Sequence, residues 1–247
     1  MKNYLLPALA ISLLAFALPQ KRKIKVWLVG DSTIANKEIK AYPETGWGMP
    51  FTYFFDSTVT VENRAKNGRS TRTFISENLW KGVTDGLGEG DYVFMQFGHN
   101  DEAKEKVERY TSPEQYRINL TKFINETRAA KAYPVLVTPV TRRRFDSLGR
   151  IQETHQVYSA VVRELAKELK VPLIDLDKRS RELLQQFGEE NSKLLFLHLQ
   201  PGEHPNYPQG KVDNTHFSEL GARKMAQLVL ADIRNLNLEL AERIIKR

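Results

Sequence analysis

Short apolar runs alternate with longer helical patterns along most of this chain. Five runs rich in apolar and β-branched residues predict strands: Ile24 to Val29, Thr58 to Glu62, Tyr92 to Phe97, Pro134 to Thr138, and Val171 to Asp175. The stretch Thr71 to Val83 predicts one helix. Pro113 to Lys131 predicts a clearer one, with Ser112 as its cap and a proline in the first turn. Tyr116, Leu120, Phe123, Ile124 and Thr127 fall on one face of it. Gln152 to Leu169 and Lys178 to Phe187 follow. Ser218 to Leu236 closes the pattern, with an apolar stripe of Leu220, Met225, Leu228, Val229 and Ile233. Strands alternating with helices predict an α/β fold: a three-layer α/β/α sandwich around a mainly parallel, five-stranded sheet of flavodoxin-like order. Ligands of such sheets bind beyond the carboxyl ends of the strands. Gln200 to Gly210, rich in proline and glycine, reads as a loop. No internal repeat or low-complexity linker interrupts the pattern, so residues 18–247 are expected to form a single domain.

The first residues depart from that pattern. Lys2 is followed by an almost wholly apolar run, Leu5 to Leu18, and Ala15-Phe16-Ala17 fits a small-x-small cleavage site. The run is shorter than the ~20 residues that span a bilayer. Residues 1–17 are therefore expected to be a signal peptide cut after Ala17. The protein would then be exported, periplasmic or extracellular, with no stable membrane insertion afterwards. The sequence has no cysteine, which excludes disulfides and a lipid anchor through an N-terminal cysteine. A mature chain of about 230 residues can hold its fold by core burial alone. The formal charge of +7 admits nucleic acid, anionic lipid or an acidic polysaccharide as partner. No zinc-finger spacing, basic zipper or aromatic–basic repeat supports nucleic acid. An anionic substrate suits an exported protein better.

Three polar motifs stand directly after apolar runs or before a helix. Gly30-Asp31-Ser32-Thr33 follows the first strand, Gly98-His99-Asn100-Asp101 follows the third, and Asp213-Asn214-Thr215-His216 precedes the last helix. A serine hydroxyl is a weak nucleophile until a neighbouring base takes its proton. Ser32 sits where a tight turn can present it, and His216 is the natural base. Asp213 is close enough in sequence for a turn to bring its carboxylate onto His216, fixing the tautomer and stabilising the imidazolium. Each motif also has a plainer reading: a capped turn after a strand, or a helix start capped by Asp213 or Thr215. Acyl transfer needs donors aimed at the developing oxyanion. The Ser32 amide, the Gly68 amide in Asn67-Gly68-Arg69 and the Asn100 side chain are available. His155 falls in a helical pattern and reads as a surface residue. His198 and His204 lie in or near the loop before the last motif and form no metal signature with their neighbours, and neither a metal nor a cofactor is expected.

Taken as an ordered set, these motifs resemble the blocks of the SGNH (GDSL-type) hydrolases. Gly30-Asp31-Ser32-Thr33, Asn67-Gly68-Arg69-Ser70, Gly98-His99-Asn100-Asp101, Pro139-Val140-Thr141-Arg142-Arg143 and Asp213-Asn214-Thr215-His216-Phe217 are most similar to the rhamnogalacturonan acetylesterase branch. The resemblance implies a serine esterase that removes acetyl groups from pectic polysaccharide. It implies Ser32 as nucleophile, His216 as base and Asp213 as its orienter, with Ser32, Gly68 and Asn100 as the oxyanion hole. Arg69, Arg72, His99, Arg142, Arg143 and His204 are candidate contacts to an acidic, acetylated glycan, since a guanidinium fork matches a carboxylate. The alternatives are an SGNH esterase acting on xylan or a lipid ester, and a glycan-binding module that keeps the fold without turnover. The sequence leaves the oligomeric state open. The α/β-hydrolase elbow Gly-x-Ser-x-Gly is not met, because position 34 is isoleucine.

Overall fold

The computed structural model describes residues 21–245 of the chain; the expected signal segment 1–17 lies outside them. Five parallel strands form the central sheet: β1 (Ile24–Gly30), β2 (Val59–Asn63), β3 (Tyr92–Gln96), β4 (Tyr133–Val137) and β5 (Leu173–Ile174), in the order β2-β1-β3-β4-β5. The helices are α1 (Gly48–Phe51), α2 (Thr71–Ser76), α3 (Leu79–Thr84), α4 (Pro113–Ala129), α5 (Gln156–Leu169), α6 (Leu176–Asn191) and α7 (Glu219–Asn235). Two further strands, β6 (Phe196–Leu199) and β7 (Lys211–Phe217), pair antiparallel as a separate ribbon.

Both faces of the sheet are buried along β1, β3 and β4, which is why these strands read as nearly continuous apolar runs, whereas the edge strand β2 is only partly covered. Successive side chains of β1 serve opposite layers. Val26 and Leu28 pack with Phe94, Val135 and Val137 against Met225, Val229 and Ile233 of α7. Trp27 and Val29 pack with Val93 and Met95 against Phe74, Phe123, Val162 and Leu165 of α2, α4 and α5. Each large apolar side chain buried in this way contributes about 1.5–3 kcal/mol. The order reverses between β1 and β3, where Leu28 pairs with Asn63 on one side and Phe94 on the other. That reversal opens a crevice at the carboxyl ends of the two strands, and both polar motifs that follow apolar runs lie there.

The structure corrects several sequence expectations. The stretch Thr71 to Val83 is two helices rather than one, because Asn78 adopts a left-handed conformation (φ 56°) between them. The helix expected from Gln152 starts at Gln156; Ile151 is taken by a bridge to Phe145 instead. The helix expected over Lys178 to Phe187 extends in both directions and kinks at Gly188. The stripe on α7 is rotated: Gly221 and Ala222 are buried and Leu220 is 44% exposed. The polar segment around Asp213 is a strand, not a helix start, and Ser218 caps α7. Ser112 caps α4 as expected, accepting from the Gln115 amide. Among the described residues no helix is long and apolar enough to cross a membrane.

Candidate active site

Gly30 ends β1 where the backbone runs hard against β3; a Cβ there would lie 2.3 Å from the Gln96 carbonyl oxygen. The chain then turns on Asp31. Its buried carboxylate accepts from the Thr33 amide at 2.9 Å and the Thr33 hydroxyl at 2.8 Å, and its carbonyl accepts from the amides of Ile34 and Ala35. Burial pushes the Asp31 carboxyl above the ordinary range, against the pull of the Thr33 bonds. Gln96 donates to the Thr33 hydroxyl at 2.6 Å and accepts from the Trp47 indole at 2.8 Å. This buried chain of polar groups leaves Ser32 as the turn's half-exposed side chain.

His216 reaches the same point from β7. Its Nε2 lies 2.9 Å from Ser32 Oγ and its Nδ1 lies 2.8 Å from Asp213 Oδ2. Asp213 Oδ1 accepts from the amides of Thr215 at 2.8 Å and His216 at 2.9 Å. Partial burial pushes the Asp213 carboxyl up, but the bonds from the His216 ring and amide and from the Thr215 amide outweigh it and hold the carboxyl well below the usual carboxylate range. An ionised Asp213 favours the tautomer with its proton on Nδ1, which leaves Nε2 free to accept from the serine. Between them, Asn214 turns the other way. Its side-chain oxygen accepts from Arg143 at 3.1 Å and lies 2.9 Å from His198 Nε2, and its carbonyl accepts from the Arg143 amide at 2.8 Å.

Donors converge beside Ser32. Gly68 has φ 76°, a conformation glycine adopts without strain. Among the described residues neither the Gly68 nor the Ser32 amide has an intramolecular acceptor. Asn100 donates from Nδ2 to the Arg69 carbonyl at 3.0 Å, which fixes its amide plane and leaves a second N–H. Ser32, Gly68, His99, Asn100, Arg142 and His216 all line one open cleft of about 510 Å³. Among the described residues, no group of three or more His, Cys, Asp or Glu side chains is placed to hold a metal ion.

The expected substrate contacts divide. Arg142 lines the cleft and pairs with Glu102 at 2.6 Å. His99 also lines it, buried, with its ring 4.2 Å from that of His155. Desolvation, with the neighbouring His155 and Arg142, pushes the His99 imidazole well below the ordinary histidine range, so it is neutral at pH 7. The others are committed elsewhere. Arg69 grips Glu77 at 2.8 Å, and Arg72 donates to the carbonyls of Val107 and Tyr110. Arg143 is buried and donates to Ser192, Asn214 and the Glu189 carbonyl, so it holds the ribbon rather than a ligand. His204 packs on Tyr42 outside the cleft. His155, expected at the surface, is 1% exposed and meets Glu102 at 2.9 Å. Lys106 and Arg109, which no sequence motif singles out, line the cleft from the turn-rich segment after Asp101. Their position a few residues beyond a strand-end motif was the available signal.

Glu44 lines one wall of the cleft, and a clip ties the segment just before it to the loop before β7. Asn206 donates to the carbonyls of Ile39 and Tyr42, and Tyr207 donates to that of Ala41. Glu44 itself pairs with Lys37 at 2.7 Å.

Residues 28–224 match the GDSL-like Lipase/Acylhydrolase family. The chain is similar to the rhamnogalacturonan acetylesterase RhgT of Bacillus subtilis (strain 168), with 43% identity covering 92% of this chain and 97% of that one. It is also similar to the probable rhamnogalacturonan acetylesterase YesY of the same organism, with 35% identity covering 90% and 97%. Among solved structures, the B. subtilis protein YxiM superposes with a TM-score of 0.75 at 25% identity; the match covers 90% of this chain and 58% of that one. The acetylxylan esterase Axe2 of Geobacillus stearothermophilus shares the fold, with a TM-score of 0.64 at 17% identity, covering 92% and 98%.

Proposed function

The chain belongs to the GDSL-like lipase/acylhydrolase family, and we propose that within it this protein is a serine esterase that removes acetyl groups from rhamnogalacturonan. The observation that carries the reading is the continuous hydrogen-bonded line Ser32–His216–Asp213, which joins residues 184 positions apart. A capped turn and a helix start would each satisfy their own groups, and neither would need the other.

In the proposed reaction Ser32 Oγ attacks the acetyl carbonyl carbon while its proton passes to His216 Nε2. The carbonyl oxygen becomes an oxyanion, held by the amides of Ser32 and Gly68 and the free N–H of Asn100. Each such donor supplies about 3 kcal/mol to the transition state. Asp213 stays ionised and stabilises the imidazolium. As the bond to the sugar oxygen breaks, Nε2 returns its proton to that oxygen, and the acetyl group stays on Ser32. Water then repeats the sequence: it attacks the acyl carbon, gives its proton to Nε2, and the proton passes back to Ser32 as acetate leaves.

The test is acetate release from acetylated rhamnogalacturonan and acetylated xylan, by the wild type and by Ser32→Ala. We expect release chiefly from the pectic polymer, reduced at least ~10⁴-fold by the substitution. Full release by Ser32→Ala would discard the nucleophile, and release chiefly from xylan would discard the substrate. We also propose export, with residues 1–17 removed; N-terminal sequencing of the secreted protein is expected to begin at Leu18, and a start at Met1 would refute it.

A further inference from the structure

The acids and bases of the cleft are mostly answered within the protein. Glu44 is paired with Lys37, Arg142 with Glu102, and Asp213 with His216. Arg109 and Lys106 are different: among the described residues neither has a carboxylate partner, although both line the cleft beside Gly68 and Asn100. Glu105, on the same segment, also lines the cleft but is exposed and pairs with neither cation.

Arg109 is also oriented. Its Nη1 donates to the Gly68 carbonyl at 3.4 Å, and a Cβ at position 68 would lie 3.2 Å from that nitrogen. Glycine at 68 therefore gives the guanidinium room to lie across the backbone that carries a proposed oxyanion donor. Among the described residues the Arg109 Nε is buried without an acceptor. A buried donor left unpaired is costly and is normally satisfied. The segment that carries Arg109 is itself held: the Lys106 carbonyl accepts from the amides of Arg109 and Tyr110, and the Thr111 amide donates to the Asp101 carbonyl.

The geometry points to Arg109 as a specificity-determining residue that binds a uronate carboxylate of the substrate chain, with Lys106 adding charge at the cleft mouth. The inference rests on the pectic reading above for the identity of that carboxylate. Arginine suits the task because it is always charged and presents a planar fork, and a cation held at one nitrogen by Gly68 loses little freedom when it meets its ligand. The fork would select acidic acetylated glycans over neutral ones, a discrimination the serine, histidine and aspartate cannot make.

The test compares wild type, Arg109→Gln and Arg109→Lys on acetylated rhamnogalacturonan, acetylated xylan and 4-nitrophenyl acetate, with digalacturonate as inhibitor of the small ester. We expect Arg109→Gln to lower kcat/KM on the pectic polymer about tenfold or more beyond whatever it costs on acetylated xylan and 4-nitrophenyl acetate, with that excess in KM. Arg109→Lys should recover part of the loss. Digalacturonate should compete in the wild type, less so in high salt, which screens the charge, and weakly in Arg109→Gln. Equal losses on acidic and neutral esters would overturn the inference, and so would failure of digalacturonate to compete in the wild type at low salt. The wild-type inhibition arm stands even if Arg109→Gln does not fold. If wild-type enzyme released no acetate from the pectic polymer, the substrate reading would fail, while digalacturonate would still decide whether Arg109 binds a carboxylate.

Discussion

Ser32 and His216 are held in opposite ways. Ser32 stands on a turn whose neighbours are buried: Asp31, Thr33, Gln96 and Trp47 close their hydrogen bonds on one another at the end of the sheet. His216 stands on a half-exposed ribbon whose strand pairs with the short β6 and, at its last residue, bridges to Thr45. Phe196 and Phe217 seat the base of the ribbon in the core, and its polar part is fixed through Asn214, by the buried Arg143 from outside and by the ring of His198 from β6. The nucleophile thus inherits the stability of the whole sheet. The base depends on a few bonds that can be cut one at a time. Lesions should differ in kind: at His216 and Asp213 they should cost alignment, and in the buried polar groups behind either side they should cost stability.

The largest effect should come from the base itself. We predict that His216→Ala lowers kcat about 10⁶-fold and Asp213→Asn about 10⁴-fold, with KM nearly unchanged. An Asp213→Asn enzyme keeping a tenth of its kcat would mean that the strand backbone alone aligns the imidazole. Next, Asn100→Ala should lose about 10²–10³ in kcat on every ester; a change confined to KM would move Asn100 from the oxyanion to substrate binding. Smaller in rate but larger in stability, Arg143→Met should cost about 2–4 kcal/mol in denaturant unfolding, since it removes charge-assisted bonds to Ser192, the Glu189 carbonyl and Asn214 from a buried cluster. Unchanged stability would sink the claim that Arg143 anchors the ribbon.

The smallest effect concerns the buried side. Burial pushes the Asp101 carboxyl up to about 7, against two bonds from Thr71. Its folded value lies above the unfolded ~3.9. The stability contributed by the protonated group is therefore full below that unfolded value and is lost as pH rises through about 7. We expect the melting temperature of the wild type to fall relative to Asp101→Asn between about pH 5 and about pH 8. A gap that stays constant with pH would show that Asp101 does not titrate in that window.

The contrast also governs what could be read from the sequence. The inner strands and the position of Ser32 were legible because a doubly covered parallel strand writes itself as an apolar run, and the polar motif begins where the run stops; the partly covered β2 was legible from its β-branched residues. Asp213 and His216 were legible as chemistry but not as structure. A half-exposed ribbon alternates weakly, and the run Lys211 to Phe217 looks polar until its partner Phe196 to Leu199 is known. The break at Asn78 was hidden because apolar spacing continues through it while the backbone does not. The arginines were hardest. Sequence gives a guanidinium its charge but not its direction, so Arg69, Arg72 and Arg143 read like ligand contacts while Arg109 passed unnoticed. His155 failed for the same reason: its burial depends on Glu102 and His99, far away in the chain.

The clip that joins the loops around Tyr42 and Tyr207 has a consequence in time. It consists of hydrogen bonds to backbone carbonyls, and its apolar side chains are largely uncovered: Ile39 is 92% exposed and Tyr42 is 49% exposed. Little apolar burial opposes its release, so it belongs to the part of the molecule that opens locally without waiting for global unfolding. Amides of the clip should exchange with solvent long before those of β1 and β3.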